Sequence, residues 1–276
     1  MPSGGSEPDR GSFRDPSGFV YRRDGRILRQ VNESFRAQWD ELTASGLLGN
    51  LQARGLLIGH EVVDTGAAAD PAIVHAVIVP ERIPLISYPY EWSFGELRDA
   101  ALATLEAQAI ANAAGFTLRD ASAYNVQFRG ARPILIDTLS FERAEPGTPW
   151  IGYRQFCEHF LAPLALMAHR DVRCGLLLRD FIDGIPVDLA ANLLPGRTRL
   201  NVGLASHIHA HARAQRTEAR RAASAVASAP ARARPRMTPL RQDALLDSLR
   251  RTVEGDRKST RLNSSHIQKS RMPSSA

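Results

Sequence analysis

The chain has 276 residues and a formal net charge of +6; 43% of its residues are hydrophobic and 7% are aromatic. This composition indicates a soluble globular protein, and the longest strongly apolar run, Leu161 to Ala168, is far too short to span a bilayer. Two cysteines, Cys157 and Cys174, are too few for a disulfide framework or a zinc site, and the polar first residues lack a signal-peptide core. We therefore expect a cytoplasmic protein with no membrane partner.

The last segment, residues 256–276, resembles translated sequencing adapter. Two adapter-encoded blocks, 256–266 and 270–276, flank a gap the size of a barcode, which an ordinary polar tail would not produce. We expect this segment to be a processing scar and the natural protein to continue beyond Gly255. The segment contributes a net +4, so residues 1–255 carry +2 and contain no lysine. So small a net charge is poor support for nucleic-acid binding, and no nucleic-acid partner is expected.

The first third of the chain predicts a short sheet and a helix. Residues 1–16 are rich in Gly, Ser, Pro and Asp and are predicted to be disordered. Asp24-Gly25 lies between two apolar stretches, which predicts a β-hairpin. Further strands are predicted at 74–79 and 83–87. A helix between the hairpin and these strands has apolar residues at i, i+4 and i+7: Phe35, Trp39 and Leu42.

The remainder is predicted to be mostly helical. Ser93 and Glu96 have the spacing of a capping box and open a helix that runs to about Ala114. Short strands are predicted at 125–128 and 133–136, with a turn at 129–130. Thr148-Pro149 is predicted to start the next helix. The apolar face of that helix comprises Tyr153, Phe156, Phe160, Leu164 and Met167. More helices follow over 171–211 and 240–253.

One segment has the spacing of a phosphoryl-transfer site. Arg119-Asp120 is followed by Asn125, five residues after the aspartate, and by Asp137 at the end of the next predicted strand. This pattern resembles the catalytic loop of the protein-kinase-like superfamily. The resemblance implies that Asp120 is the catalytic aspartate with Arg119 beside it, and that Asn125 and Asp137 are magnesium ligands. The alternative is that Asp120 and Asn125 shape turns and Asp137 ends a strand.

The nucleotide side of this pattern is incomplete. The sequence has no glycine-rich phosphate loop before residue 90 and no lysine to hold the phosphates, so Arg26 or Arg29 would have to substitute. Tyr88 and Tyr90 lie where a kinase hinge would meet adenine, although aromatic packing explains them equally well. Mg and ATP are therefore candidate cofactors of this module. Leu118 replaces the usual histidine, and Thr138-Leu139 replaces Phe-Gly after Asp137.

The implied fold class is α+β, a protein-kinase-like two-lobed fold. It would comprise a small mixed lobe at 17–92 and a helical lobe at 93–212. A linker rich in Arg, Ala and Pro would follow at 213–237, and then a helix at 238–255 leading to a missing domain. His207, His209 and His211 alternate, but no carboxylate or cysteine stands at ligand spacing, which favours a structural role over a metal site. Cys157 is predicted to be a core residue.

A closer resemblance covers nearly all of residues 11–255. It rests on five strings: Gly11 to Gly18, Tyr88 to Ser93, Asp120 to Asn125, Ile136 to Glu142, and Tyr153 to Cys157. These are similar to the N-terminal region of bacterial proteins labelled SAM-dependent methyltransferases, which are nodulation-protein-like. The resemblance implies a methyl-transfer domain beyond Gly255, because no glycine-rich strand-to-helix turn that could hold S-adenosylmethionine occurs here.

Three functional hypotheses follow, and the sequence leaves enzymatic activity open. The leading one is a kinase-like module, at most a weak phosphotransferase, that recognises or prepares the substrate of a C-terminal methyltransferase domain in the same chain. The second is an active Mg-ATP-dependent kinase for a small molecule or a glycan. The third is a scaffolding pseudokinase, which would lack magnesium-dependent nucleotide binding.

Overall fold

The computed structural model describes residues 7–8, 15–223 and 237–255, with side chains throughout except at 7–8 and 218–223. Most of the predicted disordered terminus, much of the predicted linker and the whole predicted adapter segment lie outside these ranges. The fold class is α+β, as predicted, with a small antiparallel sheet and a helical part. None of the described helices combines the length and the apolar character that crossing a membrane requires.

Contacts divide the chain into two compact units that interleave along the sequence. The first unit contains residues up to 86 together with 110–119 and 126–144; the second contains 87–109, 120–125 and the residues from 145 onward. The predicted lobes, by contrast, were separated at one point, between residues 92 and 93. Asp137 therefore belongs to the first unit, and Asp120 and Asn125 belong to the second.

The first unit contains a five-stranded antiparallel sheet. Its strands are β1 (Glu7–Pro8), β2 (Gly18–Arg23), β3 (Arg26–Asn32), β4 (His60–Val63) and β5 (Val74–Pro80), in the spatial order β1-β2-β3-β5-β4. The predicted hairpin joins β2 to β3. Its two turn residues have positive φ, 51° at Asp24 and 75° at Gly25, the backbone that a two-residue type I′ turn requires.

The first unit also contains two helices, α1 (Arg36–Ala44) and α2 (Leu47–Ala53), and a buried cluster on its sheet comprises Tyr21, Leu28, Ala68 and Val77. As predicted, the side chains of Phe35, Trp39 and Leu42 are buried. Strand β4 and helix α2 were not predicted. The strand predicted at 83–87 is wrong: the segment is irregular, since Pro84 has no N–H to donate, and Leu85 is 76% exposed.

Two pairs of short strands complete the first unit. Strand β6 (Phe116–Leu118) pairs antiparallel with β9 (Phe141–Arg143), and β7 (Val126–Arg129) pairs antiparallel with β8 (Arg132–Leu135). The β7–β8 hairpin confirms the prediction, and Gly130 has a φ of 63° in its turn. The short 3-10 helix Thr138–Ser140 follows β8. This arrangement places Asp137 between a strand and a helical turn.

The second unit is helical. Helix α3 (Phe94–Ala113), which also contributes its last residues to the first unit, begins at the predicted capping box: the Ser93 amide donates to Glu96 Oε2 over 2.8 Å. The other helices are α4 (Tyr153–Phe156), α5 (Ala162–His169), α6 (Val187–Leu193), α7 (Val202–Leu204), α8 (His211–Ala223) and α9 (Pro239–Gly255). Two π-helical segments, Cys157–Leu161 and Ala205–Ala210, join α4 to α5 and α7 to α8 without a break.

The helical start predicted at Thr148-Pro149 is wrong. Helix α4 begins at Tyr153, and the Thr148 hydroxyl donates to the Glu145 carbonyl oxygen over 2.7 Å, which forms a local turn instead of a helix cap. The predicted apolar face is present, since Phe156, Phe160 and Leu164 are fully buried. The interruptions predicted near Gly184 and Pro195 also occur, and 3-10 helices at Val172–Arg179 and Gly196–Leu200 occupy part of that region.

Candidate functional site

Asp137 is held by three hydrogen-bond donors inside the first unit. Its Oδ1 atom lies 2.5 Å from Nη1 of Arg29 and accepts a hydrogen bond from the Leu139 amide over 3.0 Å, and its Oδ2 atom accepts one from the Ser140 hydroxyl over 2.5 Å. The side chains of Arg29 and Asp137 are only 11% and 17% exposed. Burial alone would raise the pKa of Asp137, but Arg29 and the other two donors together hold that pKa below its ordinary value.

A second carboxylate and a second guanidinium extend this group. Asp15 Oδ2 lies 3.9 Å from Arg29 Nη2 and 3.8 Å from Arg119 Nη2. We call Asp15, Arg29, Arg119 and Asp137 the ion-pair cluster; its formal charges sum to zero. Arg29 Nε is buried and has no hydrogen-bond partner. Asp15 was not predicted, because it fell within the segment predicted to be disordered, although the string Gly11 to Gly18 gave a signal for it.

Asp120 and Asn125 lie in one loop of the second unit. The Ser122 amide donates to Asp120 Oδ1 over 3.0 Å, and the Ala121 amide donates to Gln155 Oε1 over 2.6 Å, so the loop is anchored to helix α4. Asn125 ends a 3-10 turn, and its Nδ2 atom is buried without a hydrogen-bond partner. The alternative role, in which Asp120 and Asn125 only shape turns, therefore explains the hydrogen bond to one oxygen of Asp120 but leaves the buried side-chain amide of Asn125 unexplained.

His159 is a neighbour of Asp120 that the sequence analysis missed. Burial lowers the pKa of His159 to about 4, although the negative charges of Asp120 and Asp183 act in the opposite direction. The ring of Tyr124 meets His159 edge-on with centroids 6.1 Å apart, and the Tyr124 hydroxyl donates to the Leu178 carbonyl oxygen over 2.9 Å. His159 Nδ1 is buried without a partner. Little in the sequence indicated a role for His159, because it stands among the apolar residues of a predicted helix.

Tyr88 and Tyr90, the predicted adenine-binding pair, stack on each other. Their ring centroids are 5.5 Å apart with an interplanar angle of 5°, and Tyr88 is 46% exposed. The Tyr88 amide donates to Glu91 Oε2 over 2.8 Å, which fixes the turn that carries both rings. The pair is therefore a partly exposed aromatic surface of the second unit.

Of the two predicted magnesium ligands, Asp137 is largely engaged by donors of the protein itself. Magnesium requires carboxylate oxygens that are free to coordinate it at about 2.1 Å. The described hydrogen bonds and the Arg29 contact occupy three of the roughly four acceptor positions of Asp137. Over the ranges that the structure describes, no group of three or more His, Cys, Asp or Glu side chains is arranged to hold a metal. One acceptor position remains, on Oδ2, so a metal that used both carboxylate oxygens of Asp137 would have to displace Arg29.

The alternating histidines and Cys157 have structural surroundings. His207 Nδ1 lies 3.0 Å from the Tyr153 hydroxyl, and His209 Nε2 lies 2.9 Å from the Thr198 hydroxyl. Burial raises the pKa of Cys157 to about 12, so the thiol is not an activated nucleophile at neutral pH. These contacts agree with the structural roles that the sequence favoured.

Comparison with known proteins points to a nodulation protein. No protein-family model matches the chain. The chain is similar to "Nodulation protein NoeA" of Rhizobium meliloti (strain 1021), with 36% identity over 205 residues. The match covers 72% of this chain and 41% of the relative, so the chain spans about two fifths of that protein's length. The similarity supports the predicted nodulation-protein-like relationship.

Proposed function

We propose that this chain is a kinase-like module of a longer nodulation-protein-like polypeptide, and that it recognises or positions a substrate without efficient phosphoryl transfer. The kinase-like assignment rests on a small antiparallel sheet, a helical part, and the Asp120, Asn125 and Asp137 pattern. We favour recognition over phosphoryl transfer, because Asp137, which would bind magnesium, and Arg29, which would bind the nucleotide phosphates, are engaged with each other.

The contact between Arg29 and Asp137 is the observation that carries this proposal. In phosphoryl transfer a cation holds the nucleotide phosphates and a carboxylate holds magnesium, and the two must be separately available. Here the candidate cation and the candidate metal ligand neutralise each other at 2.5 Å. Separating a buried pair costs about 3–5 kcal/mol when one partner is left unpaired, and bound nucleotide would have to supply that energy. Affinity for magnesium nucleotide should therefore be low.

The methyl-transfer activity belongs, in this proposal, to the region of the longer polypeptide that this chain does not include. More than half of the NoeA relative lies outside the match, which leaves room for such a domain. S-adenosylmethionine would bind there. The kinase-like module would then present a small molecule or a glycan to that domain, and the name of the relative suggests a substrate connected with nodulation.

An active kinase is the second candidate, and the loop of Asp120 and Asn125 favours it. The Asn125 amide is buried without a partner, an arrangement that is costly unless a ligand uses it. If magnesium nucleotide displaced Arg29 from Asp137, Asp120 would be the candidate base and Arg29 a candidate phosphate contact. This reading requires measurable magnesium-dependent turnover.

Calorimetry distinguishes the two candidates. The full chain is titrated with ATP in the presence and absence of magnesium, alongside Asp137→Asn and the control Arg22→Met, which changes an exposed arginine of the neighbouring strand β2. We expect weak or undetectable binding that Asp137→Asn does not alter. Tight binding that requires magnesium, is lost in Asp137→Asn and is accompanied by phosphate transfer would replace our proposal with the active kinase.

A further inference from the structure

The second unit contains a small cavity that none of the predicted site residues lines. Its volume is about 220 Å³. Helix α6, the 3-10 helix Gly196–Leu200, the π segment Ala205–Ala210 and helix α8 supply its walls. Its polar lining consists of Asn192, Arg199, His209, Arg213, Arg216 and Thr217. Sites for drug-sized ligands occupy roughly 300–1,000 Å³, so this cavity suits one compact group better than a whole nucleotide.

The cavity concentrates positive charge. Arg199, Arg213 and Arg216 each carry a full charge at any physiological pH, and none of the lining residues is acidic. Within the described side chains, none of these three guanidinium groups is paired with a carboxylate. Like charges around one small volume repel each other, and an anion between them would remove that repulsion.

Part of this lining is already fixed in position. Arg216 Nη2 donates to Asn192 Oδ1 over 2.8 Å and to the Asp188 carbonyl oxygen over 3.4 Å. The Thr198 hydroxyl donates its only proton to the Pro195 carbonyl oxygen over 2.7 Å, so His209 Nε2, 2.9 Å from that hydroxyl, must be the donor in their contact. Burial and then Arg199 lower the pKa of His209, which keeps its ring neutral. The three arginines therefore supply the charge of the cavity.

We propose that this cavity binds a tetrahedral oxyanion, a phosphate or sulfate group, either free or carried by a small molecule. Guanidinium groups present paired N–H donors that match the oxygen spacing of such groups, and hydrogen bonds to charged acceptors are about twice as strong as neutral ones. Arg216 also donates hydrogen bonds to two oxygen atoms of helix α6. That structural role does not account for the positions of Arg199 and Arg213, whose side chains make no described hydrogen bond.

The test is calorimetry of the full chain with sodium phosphate and with sodium sulfate, at an ionic strength held constant with sodium chloride. Arg199→Gln and Arg213→Gln remove charge from the lining without breaking a described hydrogen bond. Arg197→Gln is the control for general surface charge: Arg197 lies in the same 3-10 helix, is exposed as Arg199 and Arg213 are, lies outside the lining, and donates one hydrogen bond of 3.4 Å to the His169 carbonyl oxygen. We expect each lining substitution to weaken binding at least about tenfold, the loss of one charge-assisted hydrogen bond, and the control to leave affinity unchanged.

Two results would overturn the proposal: no heat of binding with either anion beyond that seen with chloride, or an equal loss in Arg197→Gln, which would indicate a general surface charge effect. Circular dichroism of each variant verifies that the fold is retained. A further titration with glucose 6-phosphate distinguishes the two sources. Equal affinity would assign the site to the bare group, and tighter binding would assign it to a group on a carrier; both support an oxyanion site.

Discussion

The hydroxyl of Tyr153 lies 3.0 Å from Nδ1 of His207, although 54 residues separate them in the chain. The other ring nitrogen, Nε2, lies 2.9 Å from the Ser248 hydroxyl. A single buried imidazole therefore connects three helical segments of the second unit: α4, the π segment Ala205–Ala210 and α9. Because both ring nitrogens are engaged, the charge state of His207 affects contacts in all three.

This arrangement predicts pH-dependent stability. Burial, and next the neighbouring His211, lower the pKa of His207 to about 4, from an ordinary value of 6.5. The unfolded chain therefore binds a proton that the folded chain does not, so the stabilisation is complete above pH 6.5 and is lost as the pH falls towards 4. We expect His207 to contribute about 3 kcal/mol to this change. Urea unfolding of the parent chain and of His207→Gln between pH 4 and 7 measures it.

Ser248→Ala is the control for that experiment. It removes one hydrogen bond of His207 but leaves the imidazole buried, so the chain should lose about 1 kcal/mol at every pH and retain its pH dependence. His207→Gln should show a shallower dependence of the free energy of unfolding on pH. An unchanged slope in His207→Gln would contradict the assignment.

The Arg29–Asp137 pair predicts a strong coupling energy. We expect Arg29→Met to destabilise the fold by about 3 kcal/mol, because it leaves Asp137 partly buried without its cation. Asp137→Asn should cost a similar amount, and the double variant less than the sum of the two, as for residues in contact. Chemical denaturation of the four proteins gives the coupling energy, and Arg26→Met serves as an exposed control.

The Arg29–Asp137 pair also predicts how the free energy of unfolding changes in acid. The pKa of Asp137 lies below its ordinary value of 3.8, so its stabilising contribution is present above that value and is lost as the pH falls through the lowered pKa. The stability difference between the parent chain and Asp137→Asn should therefore shrink only in strongly acidic solution. A difference that already disappears at pH 5 would show that the carboxylate is not paired in solution.

The close approach of Gly203 to Thr252 allows a steric test of the contact between helices α7 and α9. A Cβ atom at position 203 would lie 2.0 Å from Thr252 Oγ1 and 2.8 Å from Thr252 Cβ, so the two helices would have to separate. We expect Gly203→Ala to cost about 1–3 kcal/mol. Introducing it into Thr252→Gly, where the obstructing atoms are gone, should cost much less. Thermal unfolding of the single and double variants compares the two.

Two glycines of the first unit should respond to alanine with opposite signs. Gly25 has a φ of 75° and no atom within 4 Å of an added Cβ, so Gly25→Ala should cost about 1 kcal/mol through backbone strain alone. Gly49 lies within helix α2, also with open space around an added Cβ. Gly49→Ala should stabilise by roughly 0.5–1 kcal/mol, since alanine favours helical backbone. Equal effects in denaturant titrations would contradict the turn assignment.

Local signals predicted the features that depend on neighbouring residues. The Asp24-Gly25 hairpin, the Ser93 capping box and the buried face of α1 each follow from spacings of a few residues, and all three are present. Arg29 and Asp137 lie far apart in the chain. From the sequence, Arg29 was considered only as a cation for nucleotide phosphates, so its contact with Asp137 was not predicted. Asp15 was predicted to be disordered because glycine, serine and proline residues surround it in the sequence, yet its carboxylate lies 3.9 Å from Arg29 Nη2.

The kinase-like pattern was predictable only as a spacing. It indicated that Asp120, Asn125 and Asp137 have related roles, but it carried no information about which donors would occupy their oxygens. His159 and the arginine cavity escaped notice for a similar reason: their partners come from segments separated by many residues. The convergence of the three predicted site residues on one metal ion remains a prediction.

The two π-helical segments have a consequence for comparing this chain with relatives of different length. A π turn contains one residue more than the α turn it replaces, and each residue of an α-helix turns the chain by about 100°. A relative that lacks one residue within Cys157–Leu161 would form an unbroken α-helix there, and its counterparts of Leu164 and Met167 would keep their direction, because the π turn accommodates the extra residue within one turn. A single-residue gap aligned to either segment would therefore leave the interior unchanged, whereas a single-residue gap elsewhere in these helices would rotate every following side chain by about 100°.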